Sequence, residues 1–291
     1  MVNSTLVSGD IRAPRCVFQG DPGFPPGLLR LARPPKALWV AGNLPQDSAT
    51  RVVIVGARDA TGRACAQARD MAERLSRAGQ VVLSGGAFGI DAAAHEGALV
   101  GGSPTYAVLG CGVDVVYPDR HASLFDRIGR AGGLISEFPP GTPPRAQQFP
   151  SRNRILAALG GAVIVVQAAI RSGSLITAKE ATAMGIPVYA VPGSAGTDSL
   201  LGDGRAFPLR QPDQVLDTLA QPPHSLSPCP APALGPLLSA LAEGMGTPEG
   251  LSSRLGQPLP SILALLAEAE LDGFVRRAGC NYYEVIGRAS C

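Results

Sequence analysis

Residues 51–220 predict an α/β domain on a Rossmann-like, doubly wound, mostly parallel sheet, and three observations support this. Short β-branched runs alternate with stretches of helical periodicity over short connections. The runs are continuously apolar, as strands covered on both faces require. Small residues follow one run after another, the composition of strand-to-helix turns at the ligand-binding edge of such a sheet.

Taken in order, Val52-Val53-Ile54-Val55 is the first strand and ends at Gly56. A helix over 62–78 follows, with Ala68, Met71, Ala72 and Leu75 near helical spacing. A strand over 81–83, a helix over 91–99 and a strand over 106–109 come next. A helix over 121–129 leads to a strand over 133–136, and a helix over 152–159 to a strand over 162–166. A helix over 174–184 and a strand over 188–191 complete six strands.

The flanks differ in character. Residues 1–20 read as an extended lead-in, and 37–40 as a strand-like stretch within a region rich in Pro and Gly. The main domain is expected over 21–220, followed by a proline-rich linker at 221–233. Residues 234–291 show helical patterns over 237–242, 248–255 and 259–271, then strand-like pieces over 273–277 and 282–285. Three helices and a hairpin predict a small C-terminal winged-helix domain.

Composition narrows the class. With 45% apolar and 16% charged residues among 291, the chain has ample material for a core and is not a disordered sequence. The six cysteines form no C-x-x-C pair and have no His at metal spacing, so they read as plain thiols of a reducing cytoplasm. No apolar run approaches the ~18 residues of a membrane helix, and the N-terminus lacks the pattern of a signal peptide. The expected location is the cytoplasm.

Net charge is +2 and says nothing by itself about nucleic acid; its distribution says more. Between Glu137 and Glu180 there is no acidic residue, yet Arg145, Arg152, Arg154, Arg171 and Lys179 all fall there. Such a run is either a solvated face or an anion-binding surface. Arg58, directly beyond the first strand, adds a cation at the sheet edge where ligands bind. Arg171-Ser172-Gly173-Ser174 is a small-residue turn opening a helix, and the freed N–H groups of such a turn suit a phosphate. No G-x-x-x-x-G-K-[ST] and no G-x-G-x-x-G is present, so neither an ATPase nor a dinucleotide cofactor is expected.

Several segments occur in the order found in one family. They include Pro34-Pro35-x-x-Leu38-Trp39-Val40-x-Gly42, Val55-Gly56-Ala57-Arg58 and Ser84-Gly85-Gly86-Ala87-x-Gly89-Ile90-Asp91. Val108-Leu109-Gly110-x-Gly112-x-Asp114-x-x-Tyr117-Pro118, Ser136-Glu137-Phe138-Pro139 and Phe149-Pro150-x-Arg152-Asn153-Arg154 follow, then Ser172-Gly173-Ser174-Leu175 and Val191-Pro192-Gly193-Ser194. Over residues 21–220 the chain resembles the DNA-processing protein A (DprA/Smf) family of natural transformation.

The resemblance implies a Rossmann-like domain that binds single-stranded DNA, forms a homodimer, and loads the RecA recombinase, with no cofactor, metal or catalytic residue. It implies that Gly56 and Arg58 form the phosphate-contacting turn after the first strand. Arg152, Asn153 and Arg154 would line the DNA groove with Phe149 beside them, and Ser172, Gly173 and Ser174 would let the backbone approach a phosphate. Arg145 and Lys179 are expected in the same basic groove. The chain departs from the family pattern at Gln167, where relatives usually carry Glu, and at Asp198 in Gly196-Thr197-Asp198, where they carry Asn.

Blander roles stand beside these. Arg152 or Arg154 pairs with a carboxylate elsewhere; Phe149 is either core filler or a base-stacking platform. His95 reads as structural, and Asp91 as the start of its helix. The competing enzyme class is a phosphoribohydrolase, but its Gly-Gly-x-Gly-Thr-x-x-Glu pattern is missing. A winged-helix transcription factor is the third reading. It needs a cationic recognition helix, and residues 259–271 contain no Lys or Arg.

Overall fold

The computed structural model describes residues 13–46, 50–220, 234–271, 275–279 and 282–285. The expected linker 221–233, the lead-in before residue 13, the start of the strand expected over 273–277 (Gly273 and Phe274) and the residues Cys280 and Asn281 lie outside them. Two compact units result, one of residues 1–201 and 206–220, the other of 202–205 and 221–291.

The first unit is a nine-stranded sheet. Its strands are β1 (Arg15–Phe18), β2 (Ala37–Gly42), β3 (Arg51–Val55), β4 (Val81–Ser84), β5 (Thr105–Leu109), β6 (Gly133–Ser136), β7 (Ala162–Val165), β8 (Val188–Ala190) and β9 (Phe207–Pro208). The order is β1-β2-β6-β5-β4-β3-β7-β8-β9. From β6 to β9 all neighbours are parallel, while β1 and β2 join antiparallel. The six expected strands form the parallel body. β1 lies inside the stretch expected to be an extended lead-in, and it closes one edge of the sheet.

Strand alternation divides the core. Val53 and Val55 face one layer, where Ile155, Leu156, Ala178 and Ala181 pack. Val52 and Ile54 face the other, against Ala68, Met71, Leu75 and Val215. The central strands are covered on both faces, which is why Val52 to Val55 and Ala162 to Val165 are uniformly apolar. The helices are α1 (Gly62–Arg77), α2 (Ile90–Gly101), α3 (Ala122–Ala131), α4 (Gln148–Leu159), α5 (Ser174–Ala183), α6 (Ala195–Gly202) and α7 (Asp213–Ala220). Helices α4 and α5 cover the first face, and α1 and α7 the second. The chain steps outward from β3 to β6, then returns to β7 on β3's other side. The switch point therefore lies between β3 and β4 on one hand and β7 on the other, the place where such sheets hold ligands.

Helix α4 begins at Gln148, four residues before the start expected from the sequence, so Phe149 and Pro150 lie in its first turn. A proline is tolerated there because first-turn N–H groups have no intrahelical partner. Helix α6 was not expected at all.

The second unit contains α8 (Gly235–Ala242), α9 (Pro248–Leu255), α10 (Leu259–Leu271) and the hairpin β10 (Val275–Gly279) with β11 (Tyr282–Val285). Its own core holds Leu237, Leu241, Leu251, Ile262, Leu266 and Tyr283. Arg276 and Glu284, paired across the hairpin, form an ion pair of 3.1 Å. Among the described residues no helix is long and apolar enough to cross a membrane.

Candidate nucleic-acid interface

The strand ends, α4 and α5 enclose a cleft of about 290 Å³ at the switch point. Val55, Gly56 and the buried Arg152 supply its base, Phe149 one side, and Ser172, Gly173 and Ser174 another. Arg58 is exposed at its mouth, with the guanidinium carbon 5.0 Å from the Phe149 ring centre. Tyr117, 41% exposed, sits 5.5 Å from the same ring. Phe149 is thus half-buried, in contact with both a cation and a second aromatic.

The small-residue turn is held from two directions. The Ser172 and Ser174 hydroxyls lie 2.8 Å apart, and Asn153 Nδ2 donates to Gly173 O at 3.0 Å. The N-terminus of α5 therefore faces the cleft with no acidic residue in its first turn, an arrangement that favours an anion. Asn153 reaches this site by orienting the turn.

Arg152 is buried beneath the cleft, 5% exposed. Its guanidinium donates to Gly85 O at 2.7 Å and to Val108 O, joining the ends of β4 and β5. Asp91 lies on the other side of Gly85, also buried. A methyl group at Gly85 would sit 2.5 Å from Asp91 Oδ2 and 2.6 Å from Arg152 Nη2, so any side chain there would have to displace one of these two buried groups. Burial pushes the Asp91 carboxyl up, opposed chiefly by the Arg152 charge. Burial likewise lowers Arg152, and Asp91 opposes that shift.

Arg154 points elsewhere. It holds both Glu137 oxygens at 2.6 Å and the Arg33 carbonyl at 2.9 Å, which is the pairing that the sequence left open. Arg145 and Arg171 are exposed, each one residue from a cleft-lining neighbour, Ala146 and Ser172. Lys179 is exposed further along α5. Of the six cations expected in one groove, Arg58 and Arg152 line the cleft, and Arg152 does so from below.

His95 is fully buried. The Thr105 hydroxyl donates to Val82 O at 2.8 Å, so it accepts from His95 Nδ1–H, also at 2.8 Å. Nε2 is then an unprotonated nitrogen without a partner. Burial, with the charges of His121 and Arg152, lowers this imidazole to about 3. It is a structural residue. Cys111 is buried too, and its thiol is pushed up to about 11. No group of three or more His, Cys, Asp or Glu among the described residues could hold a metal.

Both departures have local roles. Gln167 Oε1 accepts the Thr61 N–H at 3.0 Å, before α1. Asp198 Oδ1 accepts the Gly193 N–H at 2.8 Å, so its carboxylate closes a turn of its own chain. The cleft-lining residues that sequence reasoning did not assign to it are Val55, Ala87, Asp91, Ala146, Pro150, Leu156 and Thr177. Their signal was indirect: Asp91 starts a helix directly after the glycine-rich end of β4.

This geometry defines a class: a Rossmann-like α/β protein with a cleft at its switch point, walled by a cation, an aromatic and a helix N-terminus. Residues 15–220 match the model of the DNA recombination-mediator protein A family, and the chain belongs to that family. Protein Smf of Escherichia coli is 34% identical over 287 residues, covering 92% of this chain and 76% of that one. The chain spans about half the length of several further curated relatives that it matches. DNA processing protein A from Streptococcus pneumoniae superposes with a TM-score of 0.67 at 36% identity, over 71% of this chain and 74% of that one. The protein of the same name from Helicobacter pylori, whose structure concerns its single-stranded DNA binding mode, gives 0.65 at 30% identity, over 71% and 95%.

Proposed function

We propose that this chain is a cytoplasmic, single-stranded DNA-binding recombination mediator that acts without turnover. In this reading it protects incoming strands and loads the RecA recombinase during natural transformation, working as a homodimer. The observation that carries it is the stack of Arg58 on Phe149 at the mouth of the cleft. A cation for the backbone beside a ring for a base is the pairing that single strands need. Gly56, Ser172, Gly173 and Ser174 allow close backbone approach, while few groups are placed to read base edges. The absence of turnover is argued from His95 and Asp91, one sealed in the core and the other pinned beside Arg152. The C-terminal unit is read as a winged helix that contacts protein or serves as a stabilising appendage, because α10 lacks cations.

Titration with single- and double-stranded oligonucleotides across salt tests the reading. Single strands are expected to bind tighter, with log affinity falling by roughly 0.7 per phosphate contact against log salt. Equal affinity for duplex, or no salt dependence, refutes it. In the same assay, RecA filament growth on strands coated by the protein should exceed growth on strands coated by an Arg58→Ala variant.

A further inference from the structure

A second cleft, of about 460 Å³, opens on the opposite face of the same sheet edge. Thr61, Arg63 and Gln67 at the start of α1 line it, with Gln167 after β7, Ser194 after β8 and Arg210 after β9. Arg63 and Arg210 are exposed, and neither forms an ion pair among the described residues. The nearby Asp198 carboxylate is engaged by the Gly193 N–H, and Asp59 stands in the turn before Thr61.

Arg63 occupies the first turn of α1, which contains no acidic residue. The positive end of the helix dipole disfavours a cation there. A local choice that opposes the electrostatics of its own helix points to a ligand of opposite charge. No aromatic side chain lines this cleft, so it offers charge and backbone approach without a stacking platform. That chemistry suits phosphate and leaves bases unread.

The two clefts meet at one ridge. Val55 and Val165 are register partners, and the Ala57 N–H donates to Gln167 O at 2.7 Å. Gly56 lines the first cleft and Gln167 the second. A strand leaving the first cleft across this ridge arrives at Arg63 and Arg210.

We infer that the second cleft holds further backbone phosphates of the same single strand, making the binding path continuous over the sheet edge. The inference rests on the reading of the first cleft as a single-strand site. The test compares oligothymidines of about 5 and about 20 nucleotides, near the lower end of and beyond the ~4–16 nucleotides that a single-strand module covers. It uses wild-type protein, the double variant Arg63→Ala/Arg210→Ala, Gln167→Glu and Arg58→Ala.

For the double variant, the long oligomer should lose roughly tenfold in affinity and about 1.4 from its salt slope, two contacts at ~0.7 each. The short oligomer should bind as to wild type. Gln167→Glu keeps an acceptor for the Thr61 N–H but adds a negative charge, and should weaken only the long oligomer. Arg58→Ala should weaken both. Unchanged binding of the long oligomer by both cleft variants, or equal losses at the two lengths, overturns the inference. If wild-type protein binds neither length, the reading of the first cleft has failed instead.

Discussion

Arg58 and Phe149 meet face to edge of the cleft, a guanidinium 5.0 Å from a ring centre, although ninety-one positions separate them. The contact crosses from the turn after β3 to the first turn of α4. It places the guanidinium over the ring while the side chain stays exposed, and a guanidinium in that position can offer a phosphate two parallel donors.

Arg58→Ala is therefore expected to weaken single-strand binding by roughly 10- to 100-fold, the loss of one or two charge-assisted hydrogen bonds. Stability should fall by only ~0.5–1 kcal/mol, the scale of an exposed cation–π contact. Arg58→Lys should recover binding in part, since an ammonium cannot offer two parallel donors. Phe149→Leu should lose affinity while keeping the fold. Fluorescence anisotropy and thermal melting read both quantities, and wild-type affinity in Arg58→Ala would falsify this account of the site.

Arg152 invites the opposite expectation. Its guanidinium is spent on Gly85 O and Val108 O and faces Asp91 across a glycine. Arg152→Met should destabilise the protein by about 3 kcal/mol or more, because it orphans two carbonyls and leaves a buried carboxylate uncompensated. Adding Asp91→Asn should restore part of that loss. Denaturant unfolding of the two single variants and the double variant gives the coupling; additive losses would show that the two charges do not act together.

The parallel strands were readable because burial on both faces leaves a continuous apolar run. Val52 to Val55 and Ala162 to Val165 carry that mark in their own sequence. β1 is four residues amid prolines, and α6 is built largely of small residues, so neither has a periodicity to read. The start of α4 was displaced because Pro150 reads locally as a boundary. Gly56, Arg58 and the Ser172–Ser174 turn were legible as candidates, since small residues and a cation at strand ends have a local logic. The partners of Arg152 and Arg154 were not legible. Val108 O, Gly85 O and Glu137 are brought to them by the winding of the sheet, and nothing near either arginine announces them.

His95 predicts a pH dependence. Its folded value, about 3, lies below the 6.5 of the unfolded chain. Below pH 6.5 the unfolded state takes up a proton that the folded state refuses, so stability falls as pH drops from 6.5 toward 3. The slope from this group is at most about 1.4 kcal/mol per pH unit. Asp91, raised by burial, works in the opposite sense above its unfolded value of 3.8. Comparison with His95→Gln isolates the histidine: the advantage of wild type at pH 7.5 should shrink steadily between pH 6.5 and 4.5. A constant difference across that range would show that His95 takes up its proton while folded.

Arg154 separates a phosphate-binding arginine from a structural one. It lies two positions from Arg152 in the window without acidic residues, and by sequence alone it belongs to the same groove. In the fold its Nη2 donates to both oxygens of Glu137 at 2.6 Å, and its Nη1 donates to Arg33 O. The two side chains are 21% and 26% exposed, so the pair is partly screened by water and is worth about 1 kcal/mol rather than the several of a buried pair. Arg154→Ala should accordingly cost about 1 kcal/mol of stability, with Glu137→Gln costing a similar amount and the double variant less than the sum. Single-strand affinity should change less than threefold, because both terminal nitrogens of the arginine already have acceptors and its charge is balanced by Glu137. Chemical unfolding and anisotropy measured on the same three variants decide the matter. A tenfold drop in affinity for Arg154→Ala, with stability unchanged, would place this arginine on the DNA path and show that the ion pair opens when a strand binds.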